Sequence, residues 1–140
     1  MIDRLPRPAP NRRPKAAWRQ AKGGAAFKTG HAAEWIAALW LMAKGYRVLG
    51  FRLKTRSGEI DLLARRGRVL AVVEVKRRTT LERAVLALKP AQHDRLVAAG
   101  EALRRGRPGL QPLDLRIDMV ALAPRRFPRH LRGVQRHGGG

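Results

Sequence analysis

Residues 60–76, IDLLARRGRVLAVVEVK, constrain the chain more than any other stretch: two short apolar runs flank a basic turn around Gly67, and an acid sits inside each run. Runs of this length, rich in Leu and Val and bounded by a glycine turn, read as the two arms of a β-hairpin, Ile60 to Ala64 and Val69 to Lys76. Acids are unwelcome within such arms. Asp61 and Glu74 therefore need a reason to be there, and Lys76 follows Glu74 at the strand period of two.

A tight turn about Arg66 and Gly67 would pair Arg65 with Arg68, bring Asp61 opposite Val72 and set Glu59 opposite Glu74. Asp61, Glu74 and Lys76 then emerge on one face, and Val73 and Val75 build the core on the other. A slip of one residue would separate Asp61 from the pair. Two facing carboxylates repel one another and resist desolvation unless a cation joins them, and an all-oxygen pair suits Mg²⁺ or Mn²⁺. Such an ion polarises a phosphodiester and lowers the pKa of a bound water, and an ammonium at Lys76 would orient that water or stabilise the developing negative charge.

The flanking sequence gives the hairpin a setting. Ala33, Ile36, Ala37, Trp40 and Leu41 recur at helical spacing within Thr29 to Lys44, Gly45 supplies a stop, and Glu34 lies near the start, where the helix dipole favours an acid. Tyr46 to Leu53 reads as a strand, Thr55 to Gly58 as a turn, and Leu81 to Arg105 as a bent helix or two helices with a break at Pro90. Leu113 to Ala123 alternates as a further strand. The expectation is an α/β fold in the order αβββαβ, with a mixed sheet of about four strands flanked by helices and the last strand joining in parallel by a crossover. Residues 29–123 form the domain, 1–28 a basic flexible arm, and 124–140 a second basic flexible tail with five arginines and no acid.

Thirty-one Lys and Arg against ten Asp and Glu give a net charge of +21, which costs self-repulsion in a compact chain unless a polyanion neutralises it. Nucleic acid, with DNA the expected form, is the implied partner; a membrane surface or the ribosome are the alternatives that composition leaves open. The absence of cysteine removes disulfides, thiolate metal sites and cysteine nucleophiles, and gives an oxidising compartment no support. The longest apolar stretch, residues 32–43, is too short and too polar to cross a bilayer. A cytoplasmic protein without a membrane partner is expected.

The run SGEIDLLARRGRVLAVVEVKRR resembles the core of the bacterial YraN family and, more distantly, of archaeal Holliday junction resolvases, both members of the PD-(D/E)xK nuclease superfamily. The resemblance extends from Thr29 to Ala123 through TGHAAEWIAALWLMAKGYRVLGFRLKTRSGEIDLL, VVEVKRR and RIDMVAL. It implies a restriction-endonuclease-like core in which Glu34, Asp61, Glu74 and Lys76 are the catalytic set and Asp61 and Glu74 the metal ligands. Ser57 falls near a serine that resolvases use. The chain departs from the YraN pattern at Leu53, where asparagine is common, and at Ala71-Val72, where phenylalanine is common; neither is a proposed ligand. Resolvases act as dimers, so the resemblance allows a homodimer, although no residue pattern supplies its surface.

The function so implied is a metal-dependent endonuclease hydrolysing DNA, branched or structured DNA by analogy with resolvases. The alternative is a non-catalytic nucleic-acid-binding module on a nuclease scaffold. Bland roles are available elsewhere: Glu59 can pair with Arg52 or Arg68, and Asp118 can pair with an arginine or cap a turn; Lys89 and Gln92, one helical turn apart, can either touch a phosphate or the site or lie on a solvated helix face. His31, His93, His130 and His137 lack ligand spacing and receive no role.

Overall fold

The computed structural model describes residues 30–135, so the N-terminal arm and the last five residues lie outside the described part. Helix α1 (Gly30–Ala43) is built from Ala, Leu, Ile, Met and Trp, most of them good helix formers. It ends in a Schellman motif: the Tyr46 N–H donates to Leu41 O and the Gly45 N–H to Met42 O, both at 3.0 Å. Strands β1 (Arg47–Thr55), β2 (Gly58–Arg66) and β3 (Val69–Arg77) follow as an antiparallel meander. Two helices, α2 (Leu81–Val85) and α3 (Pro90–Gly106), separate as Pro90 predicts, and carry the chain across to β4 (Asp114–Leu122), which pairs with β3 in parallel.

The β2–β3 hairpin corrects the expected register. Gly67 and Arg68 form the turn, so Arg66 pairs with Val69 and Leu63 with Val72, two residues from the pairing read in the sequence. Gly67 has φ 61, the left-handed value that a type II′ turn requires at its first position, which is why the glycine leads the turn instead of ending it. A shift of two preserves which face each side chain occupies. Continued by one step from Leu62↔Val73, the same count sets Asp61 opposite Glu74, closer than the sequence reading had them.

The sheet has five strands in the order β1-β2-β3-β4-β5, one more than expected. Strand β5 (Arg129–Leu131) comes from the segment expected to be a flexible tail. Its anchor is a fully buried carboxylate. Asp118 accepts two hydrogen bonds from Arg116 and one from His130, all at 2.8 Å, and one from the Gly133 N–H at 3.0 Å. His93 meets Val134 O at 2.9 Å, and the Val134 N–H donates to Ile117 O at 2.7 Å. Both histidines thus hold the C-terminal segment on the domain, a role their spacing could not reveal.

Apolar clusters fill both faces of the sheet. Ala37 and Leu41 of α1 pack on Leu62, Ala64, Ala71, Val73 and Val120, and Leu96, Ala99 and Leu103 of α3 pack on Ile60, Leu63, Leu70 and Val72. Helix α3 approaches closely at Gly100, where an added Cβ would come within 2.8 Å of Val72 and 2.9 Å of Leu115, distances at which the helix or sheet would have to shift.

One irregularity matters for function. Strand alternation should put Leu62 and Ile60 on one face, yet Leu62 packs with the α1 cluster and Ile60 with the α3 cluster; Phe51 and Leu53 on β1 divide in the same way. Both strands change face at the same level, that of Arg52 and Asp61. Arg52 takes up the turn with φ 46, a left-handed conformation that a non-glycine residue adopts at a cost of about 1–2 kcal/mol. Strain of this kind collects at functional sites. Here it lets a residue of α1 on one side and a residue of α3 on the other reach the same acids.

Candidate active site

Past Leu62↔Val73 the contact between β2 and β3 passes to a side chain: Asp61 Oδ2 accepts the Val75 N–H at 2.9 Å. This fixes one carboxylate oxygen and aims the other toward Glu74. Glu74 faces Asp61 across this step, near enough for each carboxyl to act on the ionisation of the other. On its other side Glu74 Oε2 is held at 3.1 Å by Lys76 Nζ and at 2.9 Å by Gln92 Nε2. Glu74 is one of two buried charged residues among those described; Asp118 is the other.

The electrostatics follow from that geometry. Burial raises the pKa of Asp61, against the pull of the Val75 N–H and Lys76. Burial and then the Asp61 charge raise that of Glu74, with Lys76 opposing. Glu34, on the first turns of α1, is pushed up to about 7 by burial despite Arg52, with Asp61 and Glu59 adding to the rise. It pairs with Arg52 Nη1 at 3.6 Å. Glu34, Glu59 and Asp61 thus act on one another, and Glu74 on Asp61, in a chain that carries only ten acids.

The structure brings together the four residues expected from the sequence: Glu74 beside Asp61 and paired with Lys76, and Glu34 at the margin, within electrostatic reach of Asp61. Ser57 lies in the β1–β2 turn, where its N–H donates to Thr55 Oγ1 at 3.1 Å, and no hydrogen bond joins it to the acids. The partners offered to Glu59 are engaged elsewhere, Arg52 with Glu34 and Arg68 with Pro112 O at 3.2 Å. Gln92 turns inward to Glu74, whereas Lys89 caps the start of α3 with its backbone alone. Arg52 is the site residue that sequence reasoning failed to place, and Gln92 takes the site-facing one of the two roles open to it. Only the helical phase of α3, which buries Leu96, Ala99 and Leu103, carried a signal for Gln92.

The donor set suits a hard divalent cation. Two neighbouring carboxylates removed from water repel one another unless a cation joins them, and each keeps one oxygen free of the groups that anchor it. Among the described residues no group of three or more His, Cys, Asp and Glu side chains is disposed to hold a metal ion. Two carboxylates, with water and substrate oxygens completing the shell, match the habit of Mg²⁺ rather than of a fully caged ion.

A mixed open sheet between helices, with a strand-borne acid, a following Glu-x-Lys and a helical glutamate meeting at one level, defines a restriction-endonuclease-like α/β protein of the PD-(D/E)xK superfamily. The model of "Uncharacterised protein family UPF0102" matches residues 33–122, and the chain belongs to that family, the YraN family of the superfamily. The chain is 63% identical over 113 residues to a UPF0102 protein of Caulobacter vibrioides (strain NA1000 / CB15N), covering 81% of this chain and 90% of that one. It is 57% identical over 122 residues to a UPF0102 protein of Caulobacter sp. (strain K31), covering 87% and 88%. With a UPF0102 protein of Parvibaculum lavamentivorans it shares 53% identity over 111 residues, covering 79% and 84%. No helix among the described residues is long and apolar enough to cross a membrane.

Proposed function

We propose that this protein is a Mg²⁺- or Mn²⁺-dependent endonuclease that hydrolyses phosphodiester bonds in DNA, with branched or structured DNA as its substrate. The observation that carries this reading is the pairing of Asp61 with the buried Glu74, anchored by the Val75 N–H, Gln92 and Lys76, on a chain of net charge +21. A binding module would gain nothing from buried carboxylates facing a polyanion, because they repel the ligand unless a cation neutralises them.

Asp61 and Glu74 would hold the ion, which when bound would polarise the scissile phosphate and acidify a water. The Val75 N–H fixes the orientation of Asp61, and Gln92 and Lys76 fix that of Glu74, so the donors need no rearrangement as charge develops. Lys76 keeps its ammonium 3.1 Å from Glu74 and supplies positive charge to the pentavalent oxyanion. Glu34, with a carboxyl pushed up to about 7, takes the proton that the attacking water loses. The new P–O bond forms to the water oxygen, the bond to the leaving sugar oxygen breaks, and that oxygen recovers a proton from solvent. Basic residues outside the site neutralise the flanking phosphates and make binding fall with salt.

The test is cleavage of a mixed panel of linear, single-stranded and branched DNA in Mg²⁺ and in Mn²⁺, with RNA alongside. Cleavage by the wild type that disappears in chelator and in Asp61→Asn and Glu74→Gln supports the reading. Salt-dependent binding of the whole panel with no cleavage under any metal condition replaces it with the binding-module alternative.

A further inference from the structure

A cavity of about 410 Å³ lies between α1, the end of β3 and the segment that follows β4, and belongs to none of the chemistry above. Its floor is apolar, with Ala33 and Ile36 of α1 and Leu122 of β4, and its rim carries Arg77, Arg125 and Arg126. Two of these residues are chain neighbours of the site: Ala33 precedes Glu34, and Arg77 follows Lys76. Next to Arg126 stands Phe127, 80% exposed, the most exposed large apolar side chain among the described residues. One face of its ring is covered by Trp40, with centroids 5.9 Å apart and planes at 26°, which fixes the ring and leaves the other face open.

An apolar floor with a cationic rim fits a ligand that is flat and apolar in one part and anionic in another. A second copy of the chain would bring more arginines to the rim of a protein that is already strongly basic. We propose that the cavity and Phe127 together form a subsite for an unpaired segment of nucleic acid: one base seats in the cavity, a neighbouring base stacks on Phe127, and the linking phosphates lie on Arg77, Arg125 and Arg126. Bases inside an intact duplex are paired and stacked and cannot enter, so the subsite selects DNA that carries a single-stranded stretch. Aromatic platforms flanked by cations hold single strands in this way without reading sequence. The inference rests on the nuclease reading and names the form of DNA that it takes.

The experiment measures binding, in chelator, of a fluorescent oligothymidylate of about a dozen nucleotides and of a blunt duplex of equal length, by anisotropy with the full chain. Phe127→Ala should weaken binding of the single strand roughly tenfold and of the duplex by less than about twofold, and Phe127→Tyr should restore it. Ala123→Leu, which narrows the cavity, should show the same selectivity, whereas Asp61→Asn should bind the single strand at least as well as the wild type. Equal losses for both ligands, or no loss in either variant, overturn the proposal. So does a Phe127→Ala defect seen on phosphatidylserine vesicles and not on the oligonucleotide, which would make the surface a membrane contact. Because no cleavage enters the readout, single-strand selectivity in a protein that cuts nothing would retain the subsite and remove the nuclease.

Discussion

Asp118 and the Asp61–Glu74 pair are acids of one sheet, buried by the same fold and treated in opposite ways. Asp118 has four donors on its two oxygens, from Arg116, His130 and the Gly133 N–H. Although burial alone would raise its pKa, these donors outweigh burial and hold it at about 2. Asp61 and Glu74 receive fewer donors, face each other and are both raised. The satisfied acid organises structure, tying β4 to the C-terminal segment, and the under-satisfied pair retains capacity for a ligand. An acid in a basic protein is thus informative through its donors rather than through its burial.

The largest effect should separate the two regions by activity. Asp61→Asn or Glu74→Gln should lower DNA cleavage by on the order of a hundredfold or more in steady-state assays, while urea denaturation in chelator shifts by less than about 1 kcal/mol, because each change removes a repulsion along with a charge. Asp118→Asn should do the reverse: on the order of 2–3 kcal/mol of stability lost, as the buried His130 and the half-buried Arg116 lose their carboxylate, and divalent-ion affinity retained. An Asp118 variant that abolished metal binding without unfolding would dissolve the distinction.

The same contrast has a signature in pH. Glu34, raised from 4.5 to about 7, and Glu74, also raised, bind protons more tightly folded than unfolded, so stability in chelator should increase as pH falls from 7 toward 4.5. Asp118, lowered from 3.8 to about 2, contributes stability that is present above 3.8 and is lost as pH falls through 2. Denaturation midpoints measured across pH should therefore pass through a maximum near the lower end of the glutamate range, and Asp118→Asn should flatten only the acid limb.

Smaller changes sharpen the picture. Gln92→Ala frees Glu74 Oε2 from one of its two anchors and should weaken Mn²⁺ binding about tenfold, as loss of an outer partner of a ligand usually does. Arg52→Gly should leave stability within about 1 kcal/mol, relief of the left-handed φ offsetting loss of the half-exposed contact to Glu34; thermal melts compared with Arg52→Ala, which keeps the strain and loses the contact, separate the two effects.

Much of this architecture was legible in the sequence, and what was not has physical reasons. The hairpin, its acids and the crossover to a parallel strand follow from apolar period and turn signals. The register was displaced by two because an Arg-Gly-Arg turn offers two places for a glycine, and chemistry survived because the strand period is also two. The fifth strand is three residues long and contains only one aliphatic residue, so its place depends on long-range bonds to Asp118 that no local pattern encodes. Arg52 was invisible for a similar reason: its role depends on a level where two strands change face, a tertiary event that alternation cannot anticipate.

Titration calorimetry of Mn²⁺ into the wild type, Asp61→Asn and Asp118→Asn tests the central claim most directly. The account predicts binding by the wild type, with proton release as the raised carboxyls of Asp61 and Glu74 ionise, no binding by Asp61→Asn, and binding by whatever fraction of Asp118→Asn remains folded. Absence of binding by the folded wild type, or undiminished binding by Asp61→Asn, would contradict it.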